Sequence, residues 1–158
     1  MKKIVSITAL CLLALSPLSQ AAVTMPDIDQ ELLEIGIVGS DYKYKDINAA
    51  DKYFNKITAD FAKILPMKRS PAIEAKSVTI TPYFSEYVHR YTLDLPPASL
   101  SSLEHELTNP TMLKSLCRNV YNSKKFISAN NHSIVFTYQK KDGHKLTDIT
   151  MNNATCKA

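Results

Sequence analysis

The chain has 158 residues, a formal net charge of +4, 45% hydrophobic residues and only three glycines. That balance fits a folded domain with a real core and excludes a disordered or low-complexity chain. Its lysines are scattered and its arginines are only Arg69, Arg90 and Arg118, which excludes a nucleic-acid reading built on a basic stripe.

The opening stretch, MKKIVSITALCLLALSPLSQAAVT, has the parts of a secretory signal: Lys2 and Lys3, an apolar run from Ile4 to Leu15, then small residues. The run is well short of the ~20 residues a membrane-spanning helix needs. Cleavage is expected near Ala21, so residues 1–21 are read as a signal peptide and 22–158 as one domain, periplasmic or secreted, with no transmembrane segment. Cys11 raises a lipoprotein reading, but Leu10 stands where a small residue is required. Acids outnumber bases eight to four from Ala22 to Asp60, and bases outnumber acids thirteen to seven from Phe61 onward. The two parts are therefore expected to attract each other or to offer different faces to partners.

In chain order, TMPDIDQELLEIG predicts a short helix, with Thr24 as cap, Pro26 near the first position and Gly36 as the stop. GSDYKYKD follows as a turn or irregular link carrying Tyr42 and Tyr44. Ile47, Ala50, Phe54, Ile57, Phe61 and Ile64 recur at helical spacing, with Asp46 to cap the start and Pro66 past the end. Residues 22–66 are thus a helical N-terminal part. MKRSPAIEA reads as a polar link into KSVTITPYFSEYVHRYTLDL, two strands turning near Pro82 to Glu86, with Tyr87, His89, Tyr91 and Leu93 on one side.

A helix capped by Ser99 is expected next, then a second start at Asn109–Pro110 whose buried side carries Met112, Leu113, Leu116, Cys117 and Val120. SKKFISAN predicts one more helical turn. HSIVFTYQKKDGHKLTDITM is the clearest hairpin, with Ile134, Phe136 and Tyr138 on one face and Asp142–Gly143 at the turn. Residues 76–158 therefore read as hairpin, helices, hairpin. The predicted fold is α+β: an antiparallel sheet of about four strands with helices packed on one face, and one disulfide.

Cys117 and Cys156 form an even pair in an oxidising compartment, which predicts their disulfide, with two unpaired buried thiols as the alternative. Closing a loop of about 40 residues contributes on the order of 4 kcal/mol in the chain-entropy account. The bridge would clamp the chain end to the helical cover of the sheet.

Chemistry is sparsely signalled. His89, His105, His132 and His144 form no metal-ligand pair at helical spacing, and Glu104 and Glu106 diverge on a helix. No nucleophile elbow or glycine-rich phosphate loop is present, so no catalytic residue, metal or cofactor is expected. Eight tyrosines with no tryptophan favour contact surfaces, and Tyr42, Tyr44, Tyr87 and Tyr91 are the candidate partner-binding residues.

The C-terminal third, with Cys117, Tyr138, Gly143, Leu146 and Cys156 in a cysteine, hairpin, cysteine pattern, resembles small exported proteobacterial proteins, including the disulfide-closed pilotins of type II secretion. That resemblance implies an α/β fold with one disulfide and a role in binding another envelope protein. The chain departs from those lipoproteins in lacking a lipobox and in carrying a longer N-terminal helical region. The functional expectation is a non-catalytic exported protein, acting by contact with another envelope or secreted protein in assembly, secretion or inhibition. The alternative is a secreted effector or small hydrolase.

Overall fold

The computed structural model describes residues 27–157. The expected signal peptide, its cleavage near Ala21, Thr24 and Pro26 lie outside them, and the first helix starts later than Thr24 predicts, with Asp27 as its cap. The described elements are α1 (Ile28–Glu34), α2 (Ile47–Ile64), β1 (Met67–Ser70), β2 (Ile73–Ile80), β3 (Phe84–Tyr91), α3 (Pro97–Leu107), α4 (Pro110–Leu116), α5 (Lys125–Ala129), β4 (Ser133–Gln139), β5 (Lys145–Met151) and α6 (Asn153–Cys156). Between α4 and α5 the helix widens into one π-helical turn, Cys117–Tyr121.

Local chemistry accounts for most boundaries. Asp27 caps α1, and Gly36 leaves it at φ +75°, a conformation glycine adopts without a Cβ penalty. The Asp46 carboxylate accepts the N–H groups of Asn48 and Ala49, and Asn109 caps α4 with Pro110 at its first position. α3 begins earlier than Ser99: Pro96 is the cap residue and Pro97 opens the helix, because its fixed φ suits a first turn.

The sheet corrects the predicted one. It has five strands in the order β1-β2-β3-β4-β5, and the central pair β3–β4 is parallel. The expected four antiparallel strands become a mixed sheet because the helices between Tyr91 and Ser133 form a crossover, which returns the chain to start β4 beside the start of β3. The extra strand is β1, lying in the stretch read as a polar link.

Register fixes which side chains share a face. Ile80, Ser85, Ile134 and Met151 align across the sheet, as do Val78, Tyr87, Phe136 and Ile149. All of these inward residues but Ser85 join Leu32, Val38, Ala50, Phe54, Leu103, Leu107, Leu116, Tyr121, Phe126 and Ile127 in one cluster. The opposite face sets Val88 and Val135 among polar groups: Arg90 pairs with Glu74, the Thr137 hydroxyl donates to Glu86 at 2.8 Å, and Lys145 pairs with Asp148 at 2.8 Å.

Cys117 and Cys156 are bonded, with Cα atoms 5.2 Å apart. The bridge ties α6, directly after β5, to the π-helical turn in the cover, as expected for a clamp on the chain end. No helix among the described residues is long and apolar enough to cross a membrane.

Candidate functional site

The helices do not cover the sheet evenly. α2 packs on β2, while α3 and α4 pack on β5, so the central strands β3 and β4 lie between the two supports. Parallel register then brings aromatic residues together on the inward face: Tyr87 beside Phe136 and His89 beside Tyr138. Tyr87 meets Phe136 edge-on at 5.4 Å, and His89 meets Phe136 edge-on at 6.0 Å. His89 stacks on Tyr138 at 5.4 Å, and Tyr91 stacks on Tyr138 at 6.4 Å. The result is a continuous aromatic strip.

Its members are core-type side chains, yet Tyr87, His89, Phe136 and Tyr138 are only half buried; Tyr91 is buried. The flanks behave alike. Along the inner side of α2, Ala50 and Phe54 are buried, Ile57 and Phe61 are half buried, and Ile64 is exposed. Met112 and Leu113 on α4 and Leu146 on β5 are also half buried. The strip is therefore only partly covered, with α2 over β2 to one side of it and α3 and α4 over β5 to the other. Burial, aided by the charge of Arg69, pushes the His89 imidazole down to about 4, so the ring is neutral near pH 7 and presents an aromatic face. Burial raises the Tyr87 hydroxyl, with Ser85 opposing it, and keeps it protonated.

The four predicted tyrosines thus fall in two places. Tyr87 and Tyr91 belong to the strip. Tyr42 and Tyr44 lie in the link between α1 and α2, which is fastened to the domain by Asn130: its side chain accepts the Tyr44 N–H at 3.0 Å and donates to the Tyr42 carbonyl at 2.8 Å. Lys125 sits 4.8 Å from the centre of the Tyr42 ring. The Tyr44 hydroxyl donates to the Pro82 carbonyl at 2.7 Å, and burial, then the neighbouring Tyr83, raises its pKa. Tyr83, edge-on to Tyr44 at 5.6 Å, is 54% exposed, and Phe84 beside it is 38% exposed. This small apolar patch on the β2–β3 turn was not singled out from the sequence.

A second feature escapes sequence reasoning. His132 contacts the Ser85 hydroxyl through Nε2 at 2.7 Å and the Pro82 carbonyl through Nδ1 at 2.9 Å. With Nδ1 donating to the carbonyl, Nε2 accepts from Ser85, a pairing that superficially matches a nucleophile and its base. His132 is 1% exposed and Ser85 4%, so neither atom can meet a substrate, and the pair works as an internal strut. Burial lowers the His132 pKa, partly offset by the Pro82 bond. Nothing in the spacing of residues 47 apart announces this contact.

The remaining candidates stay apart. His105, Glu104 and His144 are exposed, and no group of three metal-ligating side chains forms among the described residues. A small cleft at the carboxyl ends of β3 and β4, lined by Tyr91, Leu93, Leu95 and Leu100, is bordered by the Lys141–Asp94 ion pair at 2.6 Å.

No protein-family model matches the chain, and no curated protein matches it. Solved structures do. A candidate secreted protein from Pseudomonas aeruginosa superposes with a TM-score of 0.51 at 10% identity, over 70% of this chain and 95% of that one. The chain is also similar to the type 2 secretion pilotin EpsS of Vibrio vulnificus, with a TM-score of 0.45, 10% identity, and 70% and 94% of the two chains covered. The type II secretion pilotin AspS of Vibrio cholerae gives 0.43 at 13% identity, over 70% and 94%. Identities this low speak to fold alone, and the Pseudomonas protein shares it.

Proposed function

We propose that this chain is an exported, non-catalytic binding protein whose aromatic groove receives an apolar helical segment of another envelope or secreted protein, in assembly, secretion or inhibition. The observation that carries this reading is the half-buried strip of Tyr87, His89, Phe136 and Tyr138 between two helical supports. Fully burying one large apolar side chain is worth about 1.5–3 kcal/mol, so a few such groups from a partner suffice for stable docking.

The floor also favours one partner conformation. β3 and β4 are each paired on both sides, so they offer no backbone groups to an incoming chain. An extended segment buried there would leave its own N–H and C=O groups unpaired, whereas a helix satisfies its own and docks by side chains. The C-terminal cysteine, hairpin, cysteine pattern, with its resemblance to secretion pilotins, supports the same contact role.

The test is photo-crosslinking in the native cell, with the crosslinker at Phe61 on the groove rim and a control at exposed His144. Mass spectrometry of the product identifies the partner and the mature N-terminus. A single stoichiometric envelope or secreted protein, captured from position 61 and lost when Phe136→Ser is added, is the expected result. Equal capture from both positions, or capture indifferent to Phe136→Ser, would overturn the groove as the docking site.

A further inference from the structure

The cleft at the carboxyl ends of β3 and β4 follows from their parallel pairing. Parallel strands end side by side, and here the chain leaves them in different directions: from β3 through residues 92–96 into α3, and from β4 into the turn that leads to β5. A gap between two such exits is where open sheets with parallel strands hold small ligands. Tyr91, Leu93, Leu95 and Leu100 wall this one, and its volume is about 90 Å³. Both sides are fixed by contacts within the chain. The Thr92 N–H donates to the Ala72 carbonyl at 2.9 Å and its hydroxyl to the Pro71 carbonyl at 2.9 Å, while Pro96 and Pro97 stiffen the far end of that exit. Across the gap the Lys140 N–H donates to the His144 carbonyl at 2.8 Å and the His144 N–H to the Asp142 carboxylate at 2.9 Å. The Lys141–Asp94 pair ties one side to the other, so a ligand meets a preformed shape.

Lys140 and Asp142 complete the lining. The ion pairs among the described residues use neither of them, and the Asp142 carboxylate is bonded through one oxygen only, to the His144 N–H. An available cation and an available anion thus stand two residues apart at the mouth of an apolar cleft. The volume is roughly the share of three waters, the scale of one branched aliphatic side chain and far below the several hundred Å³ of a site for a larger molecule. A ligand with a single charge would be attracted by one of the two rim residues and repelled by the other, whereas a zwitterion pairs with both.

We propose that this cleft binds a free α-amino acid with a branched aliphatic side chain: the side chain lies among Leu93, Leu95 and Leu100, the carboxylate pairs with Lys140 and the ammonium with Asp142. The site is separate from the one that carries the contact role, although Tyr91 belongs to both the cleft wall and the aromatic strip, and the proposal stands without a protein partner.

Amide NMR titration of the disulfide-bonded protein with leucine, isoleucine and valine tests it. Saturable shifts confined to residues 91–100 and 139–144 are expected, with glycine, leucinamide and N-acetyl-leucine each binding about tenfold more weakly or worse for want of the side chain, the carboxylate or the ammonium. Lys140→Met and Asp142→Asn should each weaken leucine about tenfold, the second keeping the side-chain oxygen that accepts the His144 N–H, and Leu100→Phe should abolish binding by filling the cleft. No saturable shift into the millimolar range, or binding that survives Leu100→Phe, overturns the site. Leucine binding indifferent to both Lys140→Met and Asp142→Asn overturns the charge pairing. N-acetyl-leucine binding as tightly as leucine overturns the free amino acid, and assigns the cleft to the carboxyl-terminal residue of a chain.

Discussion

The carboxylate of Asp29, on the first helix, accepts the backbone N–H of Phe126 at 3.0 Å and that of Lys125 at 2.8 Å. Residues almost a hundred positions apart thereby share a cap: α5 has no side-chain cap of its own from Lys124, and α1 supplies one. Asp29 is 7% exposed, so removing it leaves two sheltered amides without partners. Asp29→Ala is expected to lower stability by about 1–2 kcal/mol in urea denaturation, with Asn recovering part of the loss. An effect of a few tenths, like that of a surface residue, would mean that α5 is capped by solvent.

The disulfide is expected to stabilise chiefly by restricting the unfolded chain across a separation of 39 residues. Cys117→Ser and Cys156→Ser should each cost on the order of 4 kcal/mol, by similar amounts, and the double variant should be no worse than either single one. Calorimetry of the three variants decides this, and losses that add would mean that each sulfur contributes separately by its own packing.

Local signals in the sequence foretold most of the elements. Asp46, Asn109–Pro110, Gly36 and Asp142–Gly143 act within a few residues of where they stand, so the starts of α2 and α4, the end of α1 and the last turn were readable, whereas the caps Asp27 and Pro96 were not. The parallel join was not. Tyr87, His89 and Tyr91 alternate as they would in either kind of sheet, and which strand lies beside β3 depends on how the crossover packs. β1 escaped because MKRS has no apolar alternation, a common trait of short edge strands with lysine.

The site divides along the same line. Tyr87 and Tyr91 were readable as contact candidates, and Phe136 and Tyr138 as one face of the last hairpin. Their union into a strip required the unforeseen parallel register. The strut formed by Ser85, His132 and Pro82 is a wholly tertiary object, and so is the docking of Tyr44 onto Pro82.

The strut carries its own prediction. His132→Phe keeps volume and aromaticity but leaves the Ser85 hydroxyl buried without the ring nitrogen it bonds. A loss of about 1–3 kcal/mol is expected, and Ser85→Ala added to His132→Phe should restore part of it, because both polar partners are then gone. If the double variant is less stable than the single one, the pair is not the unit that matters.

Acid should weaken the fold in a defined window. His89 and His132 are both held below their ordinary 6.5 by burial, His89 to about 4 with Arg69 contributing. The folded state therefore disfavours a proton that the unfolded chain takes up below pH 6.5. Stability is full above that value and falls as pH drops towards 4, by about 1.4 kcal/mol per pH unit for each histidine titrating in this way. Asp60, lowered beneath 3.8 by Lys63, acts only under that range. Urea midpoints measured from pH 8 to 4 should therefore be flat above 6.5 and decline below it. His89→Phe should shallow the decline without changing the plateau by the same amount. A wild-type curve flat down to pH 4.5 would mean that both rings accept protons in place.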